Sequence, residues 1–179
     1  RRRGVQVWVQ DRNDRVYGRD YADPNEPLEK YPLRMVGARN GYFCGQIVVG
    51  STAPLQGVKA APGDLKAVKG EGSIPAKSIS ALYALPIDSR NVGRWFRNLT
   101  PAPPATAAGN KDGSLQPILV GVQVPRDAAP GEYRGDVSVS AGGRSVKAPL
   151  ALYVADWTVP DPRDFRTYMG VYQSPTTVA

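Results

Sequence analysis

The stretch that decides the fold is ILVGVQVPRDAAPGEYRGDVSVSAGGRSVKAPLALYV, residues 118–154. It contains three apolar segments separated by turns rich in proline and glycine: Ile118–Val124, Tyr133–Ser140 and Ser145–Val154. In the middle segment the residues on alternate positions are Tyr133, Gly135, Val137 and Val139. This period of two is typical of a strand with one buried face. The stretch therefore predicts three strands in succession, as in an antiparallel sandwich.

Short apolar segments of the same kind occur earlier in the chain: Val5–Gln10, Leu33–Ala38, Tyr42–Val49, Leu55–Ala60 and Ile79–Leu85. The Asn40-Gly41 pair between the second and third predicts a tight turn that joins them as neighbours in one antiparallel sheet. On the first segment Trp8 falls on the face opposite Val7, where we expect a neighbouring domain or solvent. With no long helical period, the pattern predicts an all-β, immunoglobulin-like antiparallel β-sandwich.

The connections between these segments indicate how the chain is organised. Residues 11–32 predict a polar loop or a wrapped edge, and the Pro- and Ala-rich residues 98–114 predict an extended excursion over the surface. After a proline-bounded linker, Arg166–Gln173 reads as a strand, and Ser174-Pro175 is a favoured way to begin a helix. We therefore expect a β-sandwich over residues 1–157, followed over 158–179 by a linker and the start of an α/β unit.

Composition excludes several classes of function. The 179 residues include no histidine, which removes the commonest general base and metal ligand near neutral pH. The formal net charge is +7, but basic and acidic residues alternate, so we predict no nucleic-acid partner. One cysteine, Cys44, excludes an internal disulfide, and no apolar run is long enough for a membrane span. We predict no metal and no cofactor.

Candidate site residues fall into two classes. Carboxylates that could form a catalytic pair are Asp161 with Asp164 and Asp127 with Glu132, but they lie in turns and linkers with no spacing that selects them. Aromatic rings that could stack on a sugar are Trp8, Tyr17, Tyr21, Trp95 and Phe96. Of these we take Trp95 as the candidate substrate-binding residue, and packing beneath the following loop is the alternative. Cys44 is interpreted as a small buried apolar residue, with a reactive thiol or a metal ligand as the alternative.

Three segments together resemble one family of proteins. Residues 38–49, ARNGYFCGQIVV, are similar to the "ARNEYEPFQLVV" segment of N-terminal domains that precede glycoside-hydrolase-like barrels, from which they depart at Gly41, Cys44 and Gly45. Residues 124–135, VPRDAAPGEYRG, are similar to the "VPKDAKPGTYTG" turn of the same domains. Residues 168–179 resemble the start of the barrel. The family is glycoside hydrolase family 123 with its uncharacterised relatives.

The resemblance implies a secreted or periplasmic bacterial protein that acts on glycans, with a sandwich followed by a (β/α)8 barrel that begins within 158–179. It also implies that the catalytic acidic pair, which acts on N-acetylgalactosaminides, lies farther along the barrel, so we expect no catalytic residue in this chain. Tyr172 and Gln173 fall at the C-terminal end of the first barrel strand, where barrel active sites are built, and are predicted to line the substrate pocket.

The predicted function is a non-catalytic accessory domain of a larger glycoside hydrolase, with the barrel of the same polypeptide as its partner and N-acetylhexosaminides as one class of glycan. Two alternatives remain open from the sequence. One is an autonomous carbohydrate-binding module, and the other is a cell-surface adhesion or scaffold domain with no enzyme attached.

Overall fold

The computed structural model describes residues 4–18, 20–23, 26–89, 93–110 and 113–164. Within these ranges the chain forms twelve strands and two single-turn 3₁₀ helices, Ala76–Ser78 and Pro162–Asp164. The strands are β1 Val5–Gln10, β2 Leu33–Arg39, β3 Tyr42–Ser51, β4 Lys59–Pro62, β5 Leu65–Ala67, β6 Ser73–Ile74, β7 Ile79–Ser89, β8 Gly93–Thr100, β9 Ala108–Asn110, β10 Gly113–Gln123, β11 Gly131–Ala141 and β12 Arg144–Thr158. Across the described residues, none of the helices has the length and apolar character of a membrane span.

The strands form two sheets. Sheet A has the order β1-β3-β10-β7-β8, and β9 also pairs with β10. Sheet B has the order β2-β12-β11-β5-β6, and β4 also pairs with β11. The predicted all-β sandwich is confirmed. Sheet B is mixed rather than purely antiparallel, because β2 runs parallel to β12, in register from Leu33 opposite Leu150.

The core lies between the inner faces of the two sheets and is almost entirely aliphatic. It contains the buried side chains of Ile118, Val120 and Val122 from β10, and of Val137 and Val139 from β11. The alternation predicted for β11 is confirmed, since Tyr133 is also buried. Burying one such side chain contributes roughly 1.5–3 kcal/mol relative to leaving it exposed, so this interior is the main source of stability.

The turn between β11 and β12 confirms the hairpin that its glycines predict. Gly142 has φ 54° and Gly143 has φ 75°. A two-residue type I′ turn requires positive φ at both central positions, which costs glycine little. The two strands consequently pair along their whole facing length, from Gly131 opposite Val154 to Ala141 opposite Arg144.

The hairpin predicted at Asn40-Gly41 is wrong. Asn40 has φ 62°, but Gly41 is not in the left-handed region, so the turn does not have the type I′ geometry that would pair β2 with β3. The chain crosses instead from sheet B to sheet A, and β2 and β3 pack face to face. Gly45 permits this close approach, because a Cβ there would come within 2.6 Å of Leu33.

Two other expectations change in detail. The strand predicted at Leu55–Ala60 is displaced to β4, and Leu55 is a fully buried loop residue whose carbonyl accepts from the Ala107 amide. The excursion expected over 98–114 is partly regular, since β8 continues to Thr100 and β9 pairs with β10. Arg97, Asn98 and Leu99 at the end of β8 are all exposed, so the sequence there lacks the alternation that predicts a strand.

The first part of the segment that connects β1 to β2 packs on the outer face of sheet A, through Val16 and Ala22. Val16 is buried there with Trp8 and Phe96, in a second small core that also contains Val48 and Leu115. Trp8 is buried, with only 7% of its surface exposed to solvent. The expectation that Trp8 meets solvent or another domain is therefore wrong, because the chain's own connecting segment covers it.

Candidate functional site

Trp95 lies in β8, at the edge of sheet A, where the connecting segment reaches it. Tyr17 forms an isolated antiparallel bridge with Trp95, and the guanidinium carbons of Arg15 and Arg97 lie 5.0 and 5.7 Å from the centre of the indole ring. The indole Nε1 is buried and has no hydrogen-bond acceptor within the described part of the chain. The Tyr17 bridge and the Arg15 contact thus connect the segment after β1 to β8, and the use of Trp95 as a sugar platform stays a prediction.

A groove next to Trp95 brings together three of the other four aromatic candidates, whereas Phe96 is buried in the second small core. The lining of the groove is aromatic and polar, with Trp8, Gln10, Asn13, Asp14, Arg15, Tyr17, Asp20 and Tyr21. The Trp8 indole donates to the Gln10 side-chain oxygen at 3.3 Å, and Asp20 accepts from the Tyr17 amide at 2.7 Å. Tyr21 is 57% exposed. Flat rings beside carboxylate and amide groups can contact both the faces and the hydroxyls of a sugar.

Two of the four carboxylates considered for a catalytic pair, Glu132 and Asp161, bind arginine side chains. Glu132 accepts from Arg134 at 2.8 Å on the surface of sheet B. The Asp161 carboxylate accepts hydrogen bonds from the side-chain amide of Asn40 at 3.0 Å and from Arg126 at 2.6 Å. Hydrogen bonds from Asn40 and then from Arg126 hold the pKa of Asp161 below its ordinary value of 3.8. An acid kept ionised in this way is suited to anchoring and unsuited to proton donation near neutral pH.

Asp161 belongs to a cluster that we call the exit clamp, defined by Arg39, Asn40, Arg126, Val159 and Asp161. The backbone amide of Val159 donates to the Arg39 carbonyl at 2.9 Å, and the side-chain amide of Asn40 donates to the Val159 carbonyl at 2.9 Å. The linker that follows β12 is therefore bonded to the β2–β3 turn and to the connection after β10. The exit clamp holds Val159 and Asp161 against this end of the sandwich.

Cys44 lies in β3 and is half-buried, with its sulfur 3.4 Å from an Arg12 nitrogen. It is less buried than the sequence interpretation expected. Among the described residues no group of three or more Cys, Asp or Glu side chains could hold a metal ion. The arrangement gives Cys44 one polar contact and no catalytic partner in the part of the chain that the structure covers.

The outer face of sheet B carries exposed apolar side chains that the sequence analysis missed. Val36 on β2 is 72% exposed, and Tyr153 and Trp157 on β12 are 53% and 55% exposed. Val36 and Tyr153 lie opposite one another in the register. The signal was present in the sequence, because Tyr153 and Trp157 occupy the positions of the alternating pattern that should be polar.

The remaining sequence-predicted site residues, Tyr172 and Gln173, lie outside the described residues. Most of the predicted 158–179 region does so as well, and only its first seven residues are described. The domain boundary and the barrel strand stay predictions.

Comparison with known proteins finds similarity in structure only. No family model and no curated protein sequence matches the chain. A family 123 glycoside hydrolase from Clostridium perfringens, described for glycolipid glycan hydrolysis, superposes with a TM-score of 0.63 and 14% identity. The match covers 90% of this chain and 29% of that enzyme, so the chain spans less than a third of its length. At this identity the likeness shows a shared β-sandwich fold.

Two smaller β-domains are also similar. The PapD-like domain 7 of human CEP192 has a TM-score of 0.39 and 9% identity, covering 84% of this chain and 86% of that domain. The CooA pilin subunit of enterotoxigenic Escherichia coli has a TM-score of 0.39 and 13% identity, covering 72% and 92%.

Proposed function

We propose that this chain is a non-catalytic accessory sandwich of a larger, glycoside-hydrolase-like protein that acts on glycans outside the cytoplasm of a bacterium. The observation that carries the proposal is the superposition with the clostridial enzyme, which extends over 90% of this chain yet covers only 29% of the other. In that enzyme a sandwich of this kind is one part of a longer polypeptide. The segments at 38–49 and 124–135 that resemble the family lie in β2–β3 and at the β10–β11 turn, within the matched fold.

The contacts made by the carboxylates support a non-catalytic role. Glu132 and Asp161 are engaged by arginine side chains, and Asp64 accepts from the Ala76 amide at 2.7 Å. These acids hold turns and the linker in place. The proposal assigns the reaction, with N-acetylhexosaminides as the substrate class, to a barrel that follows the sandwich.

The test is turnover of a chromogenic N-acetylhexosaminide by the complete polypeptide and its variants. Asp127→Asn with Glu132→Gln should leave turnover unchanged, whereas replacing adjacent acids at the end of a barrel strand should abolish it. Gln173→Ala and Tyr172→Phe should lower turnover if these side chains line the pocket. Loss of activity in the Asp127/Glu132 variant would contradict the non-catalytic role.

The groove beside Trp95 favours a second candidate function, carbohydrate binding by the sandwich itself. Its exposed Tyr21, with Asp14, Asn13 and Gln10 along the same lining, is the specific observation behind this alternative. Titration with glycan fragments should then show binding that Tyr21→Ala removes and Trp95→Ala weakens. Tyr31→Ala is the matched control, because Tyr31 is also exposed but lies outside the groove. Equal binding by all three variants would reject this alternative.

A further inference from the structure

Val36, Tyr153 and Trp157 form what we call the open strip of sheet B. Single exposed apolar residues are normal on a protein surface, but neighbouring large ones mark a contact site. Val36 and Tyr153 are direct neighbours across β2 and β12, and Trp157 lies farther along β12. The strip is thus confined to one pair of strands, at the end where the chain leaves the sandwich.

Charged groups border the open strip. In the pairing of β11 with β12, Tyr153 lies opposite Glu132, which is bound to Arg134. At the other end Arg39 pairs with Asp156 at 3.2 Å. An apolar centre with a polar, solvent-accessible border is the usual composition of a protein–protein interface. The composition therefore suits a folded partner better than a loose polar chain.

The exit clamp determines which partner is nearest. The chain passes from Trp157 through Thr158 to Val159 and Asp161, both of which are held by hydrogen bonds to the sandwich. The last described residues are therefore held at the end of the sandwich where Trp157 lies. For a domain that follows in the same polypeptide, covalent linkage raises the effective concentration, so contact requires less intrinsic affinity than it would between separate molecules.

We infer that the open strip is the docking face for the domain that follows Asp164 in the same polypeptide, with an apolar patch of that domain covering Tyr153 and Trp157. This inference rests on the proposed function, since it requires a following domain. It adds the face and the residues through which the sandwich is held. The outer face of sheet A, where Val16 covers Trp8, then points away from that domain.

Hydroxyl-radical footprinting of the complete polypeptide tests the inference, because aromatic side chains are oxidised in proportion to their exposure. Tyr153 and Trp157 should react several-fold more slowly than Tyr21, which is exposed to a similar degree in the sandwich but lies on sheet A. The protection should not depend on protein concentration. The double variant Tyr153→Ser with Trp157→Ser should separate the thermal unfolding of the sandwich from that of the following domain. Leu99→Ser, at an equally exposed site elsewhere, should not do so.

The possible failures are distinguishable. If a second domain is present and folded but Tyr153 and Trp157 react as fast as Tyr21, the docking face is wrong and the accessory role stands. Protection that appears only at high concentration would show that a second copy covers the strip, which also overturns the inference. If the complete polypeptide contains no further domain, both the proposed function and the inference fail.

Discussion

The outer faces of the two sheets differ in what covers them. On sheet A, residues 11–32 bury Trp8 beneath Val16 in a small second core. On sheet B, Tyr153 and Trp157 remain more than half exposed to solvent in the described structure. A sandwich folds around its inner faces, so neither outer face has to be covered for the fold to form. The difference indicates that the chain completes one face itself and leaves the other available for contact.

The largest expected effect concerns how much the covered outer face of sheet A contributes to the free energy of unfolding. Trp8→Ala should lower the free energy of unfolding by about 3–5 kcal/mol, because it removes a large buried ring and leaves a cavity. Trp157→Ala on the open strip is the matched control and should change it by no more than about 0.5 kcal/mol. Urea unfolding of the 179-residue chain measures both. If the two variants lost equal free energy of unfolding, the proposed difference between the two outer faces would be wrong.

A smaller effect compares the interior with the open strip. The Tyr83 hydroxyl accepts a buried hydrogen bond from the Ala60 amide at 2.8 Å and so connects the two sheets. Tyr83→Phe leaves that amide without a partner and should cost about 1–3 kcal/mol. Tyr153→Phe removes a hydroxyl from an exposed ring and should be nearly neutral. Thermal unfolding of the two variants would contradict this account if Tyr153→Phe were the more damaging.

The smallest effect concerns the exit clamp beside the open strip. Because hydrogen bonds to Asn40 and Arg126 lower the pKa of Asp161 below 3.8, the clamp is complete above that pH and weakens as the pH falls through the lowered pKa. Asn40→Gly removes the amide while tolerating the φ of 62° at this position, so the pKa of Asp161 should rise towards 3.8. A carboxyl carbon NMR titration measures the change. An unaltered pKa would mean that Asn40 does not bind the Asp161 carboxylate.

The local pattern of the chain predicted much of the fold. Period-two alternation located β1, β3, β7, β10, β11 and β12, and Gly142-Gly143 located the hairpin between the last two. The Asn40-Gly41 pair gave a wrong prediction of a hairpin. With negative φ at Gly41, the same dipeptide connects a strand of one sheet to a strand of the other. Which sheet a strand joins depends on contacts such as Leu33 against Gly45, which are distant from the turn and invisible to a local pattern.

The candidate site was less predictable. Trp95 was selected from its type alone, and its contact with Arg15 depends on where the segment after β1 crosses sheet A. The open strip could have been found, since Tyr153 and Trp157 break the expected polar alternation of β12. The exit clamp could not, because Asn40, Arg126 and Asp161 come from three separated parts of the chain.

The parallel pairing of β2 with β12 has a consequence for how the protein is made. Arg39 and Asp156, at the end of this pairing, are 117 residues apart in the chain. The entropy of closing so long a loop must be overcome before the contact forms, and such distant pairings fold slowly. During synthesis β2 emerges early and must wait for the last strand of the sandwich. We expect chains interrupted before Leu150 to carry an unpaired β2 edge, which makes them prone to pair with other chains and aggregate.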